Sequence, residues 1–135
     1  MMQHDRGEPL RAVEYVEGRD DPDVRVVQRL LDPSSGARHC SVSYIRTPPG
    51  GGSPEGLHTH EVDQLFYILS GVMSVEVDGD FYEAGPNTLV IFPARVPHRN
   101  WNDGSTPTVH VAINAPVPDP DEPFATQVRH EGDSA

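Results

Sequence analysis

The sequence has no lysine, because all ten of its basic residues are arginine. A reaction that forms an imine on a side-chain amine, as pyridoxal phosphate enzymes do, is therefore excluded. The chain also has a single cysteine, Cys40, so it cannot form an internal disulfide. One unpaired thiol fits a reducing compartment, and we expect a cytoplasmic protein.

Positive charge and long apolar runs are scarce as well. Ten basic residues stand against 21 acidic ones, and the net charge of −11 opposes binding to nucleic-acid phosphates and anionic lipid. The longest aliphatic stretches, such as LVIF at 89–92, fall far short of the roughly 20 residues of a membrane-spanning helix. The first ten residues, MMQHDRGEPL, hold no apolar core of signal-peptide length. We therefore predict a soluble protein that binds neither nucleic acid nor membranes.

The composition changes twice along the chain and predicts three segments. Residues 1–23 hold seven acids and form an acidic N-terminal arm, with AVEYV at 12–16 as its one strand-like island. Residues 24–115 alternate short apolar runs with Gly, Pro, Asn and Asp, and at this length they can form one domain around a single core. Residues 116–135 are rich in proline and acids, which is typical of an extended or disordered tail.

Short runs of β-branched, aliphatic and aromatic residues predict about eight strands in the middle segment. They cover 24–31, 38–47, a strand leading into His58 and His60, 64–69, 72–77, 80–84, 88–92 and 108–114. Asp78 and Gly79 join two of them and suit a tight hairpin turn. A short helix over 22–31 is an alternative, but the β-branched content favours a strand. Many short strands without a long helix indicate an all-β sandwich or a barrel that closes on itself.

Two histidine-containing segments carry the chemistry. In HTHEVDQLFYILSG, at 58–71, His58 and His60 are one residue apart and share a face of a strand, and Gln64 lies further along that face. In GPNTLVIFPARVPHRNWN, at 85–102, the histidine is His98. Three neutral imidazoles from two antiparallel strands can hold a divalent ion and leave positions open. With one cysteine in the chain, this open type of site is favoured over a closed, thiolate-rich one.

Together the two segments resemble the two signature motifs of the cupin superfamily, over roughly residues 45–113. The positions that match the motifs are Gly52, His58, His60, Gly71, Pro93, His98 and Asn102. Three positions depart from them: Gln64 replaces a glutamate, and Asn87 and Arg95 replace glycines. Asparagine tolerates left-handed backbone better than most residues, whereas arginine does not.

The resemblance implies an all-β cupin double-stranded β-helix, a jelly-roll barrel, with one divalent metal ion in its interior. The ion, of Fe, Mn, Ni, Cu or Zn, would be held by His58, His60, His98 and Gln64. Since glutamine is neutral, the ion would keep its full positive charge and bind an anion more tightly than with glutamate. Alternatively, Glu61 or Asp63 supplies the missing acid, although both have the opposite strand parity.

Further residues are candidates for the substrate side of the site. The resemblance places the strand after the second motif along the barrel interior, so His110 is the candidate catalytic acid or base, with a buried core histidine as the alternative. Tyr44, Arg46 and Phe66 are predicted to line the pocket, with Arg46 suited to an anion, although the outer face of the barrel is the alternative for an arginine. Asn102 is expected to hold the loop after His98.

The resemblance favours a metal-dependent enzyme that acts on a small anionic or enolisable metabolite. Dioxygenase, lyase, isomerase and cyclase chemistry all occur at such centres, and a dioxygenase, hence an oxidoreductase, is the preferred type. The alternative is a non-catalytic cupin that binds a metabolite or a metal. A metal-free epimerase with a His/Tyr pair ranks last, because it leaves the three histidines unexplained. Exposed strand edges and the N-terminal arm suggest a homodimer.

Overall fold

The computed structural model describes residues 9–16, 23–53, 56–119, 121 and 123–128. Ten strands lie in this part of the chain: β1 (Val26–Leu31), β2 (Ser41–Thr47), β3 (His58–Thr59), β4 (Asp63–Ser70), β5 (Met73–Val77), β6 (Asp80–Ala84), β7 (Leu89–Phe92), β8 (His98–Trp101), β9 (Thr108–Ala115) and β10 (Thr126–Gln127). Among the described residues the one helical element is a 3₁₀ turn, Pro33–Ser35. The predicted all-β class is confirmed.

The strands form two five-stranded antiparallel sheets. Their orders are β1-β2-β9-β4-β7 and β10-β3-β8-β5-β6. Strand β9 lies between β2 and β4, so neighbours in a sheet come from distant parts of the chain, as in a jelly roll. Side chains that point between the two sheets form the barrel interior.

The core lies where the inner faces of the two sheets meet. Phe66 and Ile68 of β4, Phe92 of β7, and Met73 and Val75 of β5 are all buried there. Burying an apolar side chain of this size contributes about 1.5–3 kcal/mol before the entropy cost of ordering it. Because successive residues of a strand alternate between faces, this packing also fixes which polar side chains enter the interior.

The hairpin predicted at Asp78 and Gly79 is confirmed. Val77 pairs with Asp80 across a two-residue turn, and the turn residues have φ of 53° and 90°. Both values lie in the left-handed region, which glycine adopts freely and aspartate tolerates. This local signal sets the register of the whole β5–β6 ribbon.

Asn87 and Arg95 adopt left-handed backbone, with φ of 64° and 67°. For a non-glycine residue this conformation costs about 1–2 kcal/mol, and asparagine is among the residues that visit it. The backbone N–H of Arg95 donates to the carbonyl of His60 at 2.8 Å, and its side chain pairs with Glu61 at 3.0 Å. The turn of the motif is therefore retained without its glycine, and it joins the segment before His98 to the first histidine segment.

Several elements differ from the sequence prediction. The alternative helix is not formed over 23–31, where β1 is a strand. The strand predicted to lead into the two histidines is only two residues long, and His60 lies just beyond its end. Strand β10, in the segment predicted as a tail, pairs with β3. No helix in the described part of the chain has the length and apolar character needed to span a bilayer.

Candidate metal centre

Three histidines meet in the barrel interior. His58 of β3 lies directly opposite His98 of β8, and His60 follows β3. One ligand atom from each of the three lies within 4.8 Å of the others, and the ring centroids are 4.5–4.9 Å apart. The predicted convergence of His58, His60 and His98 is confirmed. We call these three residues the histidine cluster.

Hydrogen bonds fix the orientation of each ring in the histidine cluster. The Nδ1 atoms of His58, His60 and His98 lie 3.0, 2.8 and 3.2 Å from the backbone carbonyls of Gly56, Phe124 and Val96. A carbonyl oxygen only accepts, so each Nδ1 must carry the proton and donate it. Each Nε2 therefore keeps its lone pair, which is the arrangement that second-shell hydrogen bonds produce in metal-binding histidines.

Burial favours the neutral form of two members of the histidine cluster, His60 and His98. The pKa of His98 is lowered to about 4, mainly by burial. The nearby rings of His58 and His60 also lower this pKa, whereas the hydrogen bond to the Val96 carbonyl raises it. Burial also lowers the pKa of His60, while its hydrogen bond to the Phe124 carbonyl raises it. Neutral imidazoles are the form that binds a metal ion.

The structure offers an unsatisfied atom where an ion would bind. The Nε2 of His98 is fully buried and has no hydrogen-bond partner among the described residues. A buried polar atom without a partner is costly unless another group satisfies it. A divalent ion in contact with the three Nε2 lone pairs would do so, and the donor set therefore fits a metal centre of the open, imidazole-rich type.

Gln64 lies beside the histidine cluster, as its strand parity predicted. Its side chain is buried, and a hydrogen bond between it and His60 raises the pKa of that histidine. Its Nε2 donates to Oδ1 of Asn114 at 3.1 Å. Asn114 thus holds the amide of Gln64 through its Nε2, and the amide oxygen lies on the side of His60.

The acids that could have replaced the missing glutamate are engaged elsewhere. Glu61 is exposed and pairs with Arg95, and Asp63 is exposed and accepts from the backbone N–H of Ala94 at 2.8 Å. Among the described residues, His58, His60 and His98 are the set of candidate ligands that converges. The converging ligand set in the described part of the chain therefore contains no carboxylate.

Comparison with known proteins decides the family. The model of the cupin domain matches residues 43–114, which is more than half of the chain. The chain belongs to the cupin family. No curated protein matches it.

Solved structures agree with this assignment in fold. The chain is similar to the polyketide cyclase RemF from Streptomyces resistomycificus, with a TM-score of 0.68 and 19% identity over 90% of this chain and 87% of that one. It is also similar to an RmlC-like cupin family protein with a double-stranded β-helix fold from Methanocaldococcus jannaschii, with a TM-score of 0.63 and 22% identity over 82% and 94%. A third match is described as a predicted oxalate decarboxylase from Thermotoga maritima, with a TM-score of 0.62 and 20% identity over 68% and 80%. At these identities the likeness shows the fold alone.

Aromatic rings connect the histidine cluster of this cupin to its core. His98 stacks on Phe92 at 4.3 Å, Phe92 contacts Phe66 at 4.9 Å, and Phe66 contacts His110 at 4.0 Å. Phe66 is thus on the inner face, as predicted, but it packs in the core one ring away from the cluster. His110 is also on the inner face and is 1% exposed, at the far end of this series of rings.

The structure does not bring Tyr44 and Arg46 to the histidine cluster. They share the outer face of β2, opposite in parity to the buried Ile45, and the ring of Tyr44 stacks on Tyr15 of the arm at 4.1 Å. Arg46 lies across from Val26 of β1 on that same face. The outer-face alternative therefore describes Arg46 correctly, and the arm explains why Tyr44 is buried while lying outside the barrel.

Asn102 holds the loop after β8, as predicted. Its Nδ2 donates to the carbonyls of Thr47 and Thr106 at 3.1 and 2.8 Å, and its Oδ1 accepts from Gly104. The motif residue Gly52 has φ of 98°, and a Cβ there would lie 2.7 Å from the backbone of β8. These contacts hold β8, and with it His98, in place.

A cavity of about 690 Å³ lies next to residues that contact the histidine cluster and Gln64. Its walls include Asn114, which bonds Gln64, and Phe124, which stacks on His60 at 4.1 Å. Arg29 and Ser41 also line it, together with Asp32 and Asp119.

Sequence reasoning missed Arg29, Asn114 and Phe124. Arg29 lies on β1 across from Ser43, whose Oγ accepts from its Nε at 2.9 Å. Ser43 has the parity of Ile45, so this register places Arg29 on the same face of the sheet as Ile45, although its side chain is 53% exposed. Asn114 lies opposite Gln64 across the β4–β9 pair, and a same-face amide four residues after His110 was the available signal for it. No sequence signal pointed to Phe124, because it contacts His60 only where the C-terminal segment folds back against β3.

Proposed function

We propose that this cupin is a metal-dependent enzyme that acts on a small anionic or enolisable metabolite. The observation that carries the proposal is the set of three imidazoles whose Nδ1 atoms each lie on a backbone carbonyl, which leaves Nε2 as the ligand atom of each, and whose ligand atoms lie within 4.8 Å of one another. His58, His60 and His98 would hold one divalent ion of Fe, Mn, Ni, Cu or Zn, with Gln64 as a neutral fourth ligand. Dioxygenase-type chemistry is the preferred reaction class, and lyase, isomerase and cyclase chemistry are the others.

The bound ion would act as a Lewis acid on a substrate oxygen, or as a redox centre if it is Fe or Cu. The residues of the chain would set the charge of the site, orient its ligands and exclude water. The neutral ligands leave the charge of the ion uncompensated, which favours an anionic substrate. Asn114 orients the Gln64 amide, and Phe92 packs on His98 on its core side and excludes water there. His110 stays a prediction as an acid or base, because its ring contacts Phe66 and not the histidine cluster.

Arg29 supports an anionic substrate. It is the one arginine among the described residues that line the 690 Å³ cavity, and its side chain is half exposed, with Asp32 3.6 Å away. The carboxylate of Asp32 already accepts hydrogen bonds from the backbone and side chain of Ser34. Arg29 can therefore turn toward a carboxylate or enolate that enters the cavity, with the ion at the other end of the substrate.

Metal analysis followed by a substrate screen tests the proposal. Freshly isolated protein is expected to contain close to one equivalent of a transition metal, and oxygen uptake or product formation is measured with enolisable acids, diketones and catechols. Metal with no turnover would favour the alternative, a cupin that only binds a metabolite or metal. A folded protein that takes up no metal would overturn the proposal.

Replacing Gln64 with glutamate is expected to weaken anion binding at the loaded site about tenfold or more, because one added negative charge lowers the net charge of the centre. The affinity for the ion itself should rise. Titration of the Co²⁺-loaded protein with azide measures the first effect. Asn114→Asp places the same charge one hydrogen bond farther away and should have a smaller effect. Unchanged azide affinity and pH dependence in Gln64→Glu would refute this role for Gln64.

Arg29→Gln is expected to weaken binding of a small dicarboxylate such as oxalate about tenfold at low salt, since one charge-assisted hydrogen bond is lost. Arg46→Gln is the matched control, because Arg46 lies on the outer face, and its affinity should equal that of the wild type. Calorimetric titration of the metal-loaded proteins measures both. If only Arg46→Gln loses affinity for oxalate, the result would instead favour the pocket predicted from the sequence, which Arg46 lines.

We also propose a homodimer. Strands β6 and β7 are edge strands of the two sheets, and Leu89 and Ile91 of β7 are 69% and 55% exposed. Pairing through an edge strand of this kind would cover them. Sedimentation velocity is expected to give twice the mass of the chain, and a monomer at all concentrations would contradict it.

A further inference from the structure

The C-terminal strap, which we define as residues 123–128, lies against the strand that carries the first histidine. Its strand β10 pairs with both residues of β3. The backbone N–H of Val128 donates to the carbonyl of Leu57 at 2.9 Å, so the contact continues beyond β10. The strap is therefore a part of the second sheet, at its edge.

Strand β3 depends on the strap for much of its support. It lies between β10 and β8. On the β8 side the register consists of the single pair His58 and His98, whereas on the strap side both residues of β3 are paired. A two-residue strand has little intrinsic stability, so the strap supplies more of its main-chain pairing than β8 does.

The strap also supplies two contacts that orient His60, besides its hydrogen bond with Gln64. The Nδ1 of His60 donates to the carbonyl of Phe124 at 2.8 Å, and the two rings stack at 4.1 Å with an angle of 24°. For His58 and His98 the accepting carbonyl lies only two residues earlier in the chain. For His60 it lies 64 residues later. The orientation of this one histidine is thus set by a distant segment.

We infer that the C-terminal strap is part of the metal centre and that Phe124 is a positioning residue for His60. Its carbonyl selects the Nδ1–H tautomer, which leaves Nε2 as the ligand atom, and its ring fixes the plane of the imidazole. The inference rests on the proposed metal site. It assigns to the strap the role that second-shell hydrogen bonds play in known metal centres.

The coupling between strap and ion must be reciprocal. If the docked strap favours metal binding by a given factor, then a bound ion favours the docked strap by the same factor. The strap also borders two cavities, of about 690 and 400 Å³, through Phe124. Metal loading therefore stabilises the position of Phe124, which lines both cavities in which substrate would bind.

The test uses the full chain with two substitutions in the strap. Phe124→Ala removes the stacked ring, and Val128→Pro removes the N–H that donates to Leu57. The matched control combines Val128→Ala, which keeps that N–H, with Phe81→Ala, an exposed ring on β6. We expect the strap variant to bind Co²⁺ about 10–100-fold more weakly than wild type, and the control to bind as wild type does. In the metal-free variant, ¹⁵N NMR of the imidazoles should show His60 shifting toward the Nε2–H tautomer.

A measurement on the wild type keeps the test independent of variant folding. Saturating Zn²⁺ is expected to slow hydrogen exchange at the N–H of Val128. No slowing, or a strap variant with wild-type Co²⁺ affinity and an unchanged His60 tautomer, would overturn the role of the strap. If instead the wild type binds no metal, or binds it equally well after His98→Ala, the metal site itself fails and the strap inference fails with it.

Discussion

Replacing His98 with alanine is expected to lower the affinity for a divalent transition metal by at least about 100-fold, since losing a ligand should exceed the 10–100-fold cost of losing a second-shell partner. The reason is geometric. The Nε2 of His98 is buried, and no described residue of the chain bonds it. Its Nδ1 is held by the carbonyl of Val96, so the ring cannot use its other nitrogen without turning. Competition titration with a chromogenic chelator measures the affinity.

Two further variants are compared with His98→Ala in metal affinity. His39→Ala removes an exposed histidine of the same chain and should bind metal as the wild type does. His58→Ala removes a less buried member of the histidine cluster, so it disturbs packing less and should lose affinity comparably. Melting of each metal-free variant shows whether the fold is retained. Equal affinity in His98→Ala and His39→Ala would remove His98 from the site.

His110 should make the metal-free protein lose stability in mild acid. Burial, and to a smaller degree the charge of Arg25, lowers the pKa of His110 from 6.5 to about 3. Between these values the unfolded chain binds a proton that the folded chain does not. The contribution of His110 to the free energy of unfolding is therefore full above pH 6.5 and falls as pH drops toward 3. Between pH 7 and 4.5 the loss is roughly 3 kcal/mol.

His110→Leu isolates this effect from the carboxylates and from the histidine cluster. Neither ring nitrogen of His110 has a hydrogen-bond partner in the described part of the chain, so leucine should be tolerated. Urea unfolding from pH 7 to 4.5 is expected to give a flatter profile for the variant. Parallel profiles would mean that His110 is protonated in the folded protein. If the variant keeps its metal and loses turnover on an identified substrate, the predicted acid or base role gains support.

Features that depend on local chemistry could be predicted from the sequence. Asp78 and Gly79 specify a two-residue turn by their tolerance of positive φ, and the hairpin formed as expected. The spacing of His58, His60 and His98 within two motifs predicted their convergence, because the family resemblance supplied the register that spacing alone lacks. Gln64 followed from strand parity.

Features that depend on which face of a strand is covered could not be predicted. In β2 the inner residues include Ser41 and Ser43, whereas Tyr44 faces outward. Hydrophobicity alone would place Tyr44 inside and the serines outside. The reversal occurs because Tyr15 of the arm covers Tyr44 and because Ser41 and Ser43 accept hydrogen bonds from Asn114 and Arg29.

The strap was missed for a different reason. Its strand is two residues long and follows a proline-rich acidic stretch, so neither length nor composition indicates pairing. Its contact with His60 uses a backbone carbonyl, which every residue has. Only the three-dimensional path of the chain shows that Phe124 reaches the histidine cluster.

Anomalous X-ray diffraction from crystals of the Zn²⁺-loaded protein tests the central claim most directly. We predict one strong peak in the barrel interior, about 2.0–2.1 Å from Nε2 of His58, His60 and His98, with Nδ1 of each ring still on its carbonyl. A peak held by exposed carboxylates, or none within reach of the three rings, would contradict the metal centre and every functional proposal that depends on it.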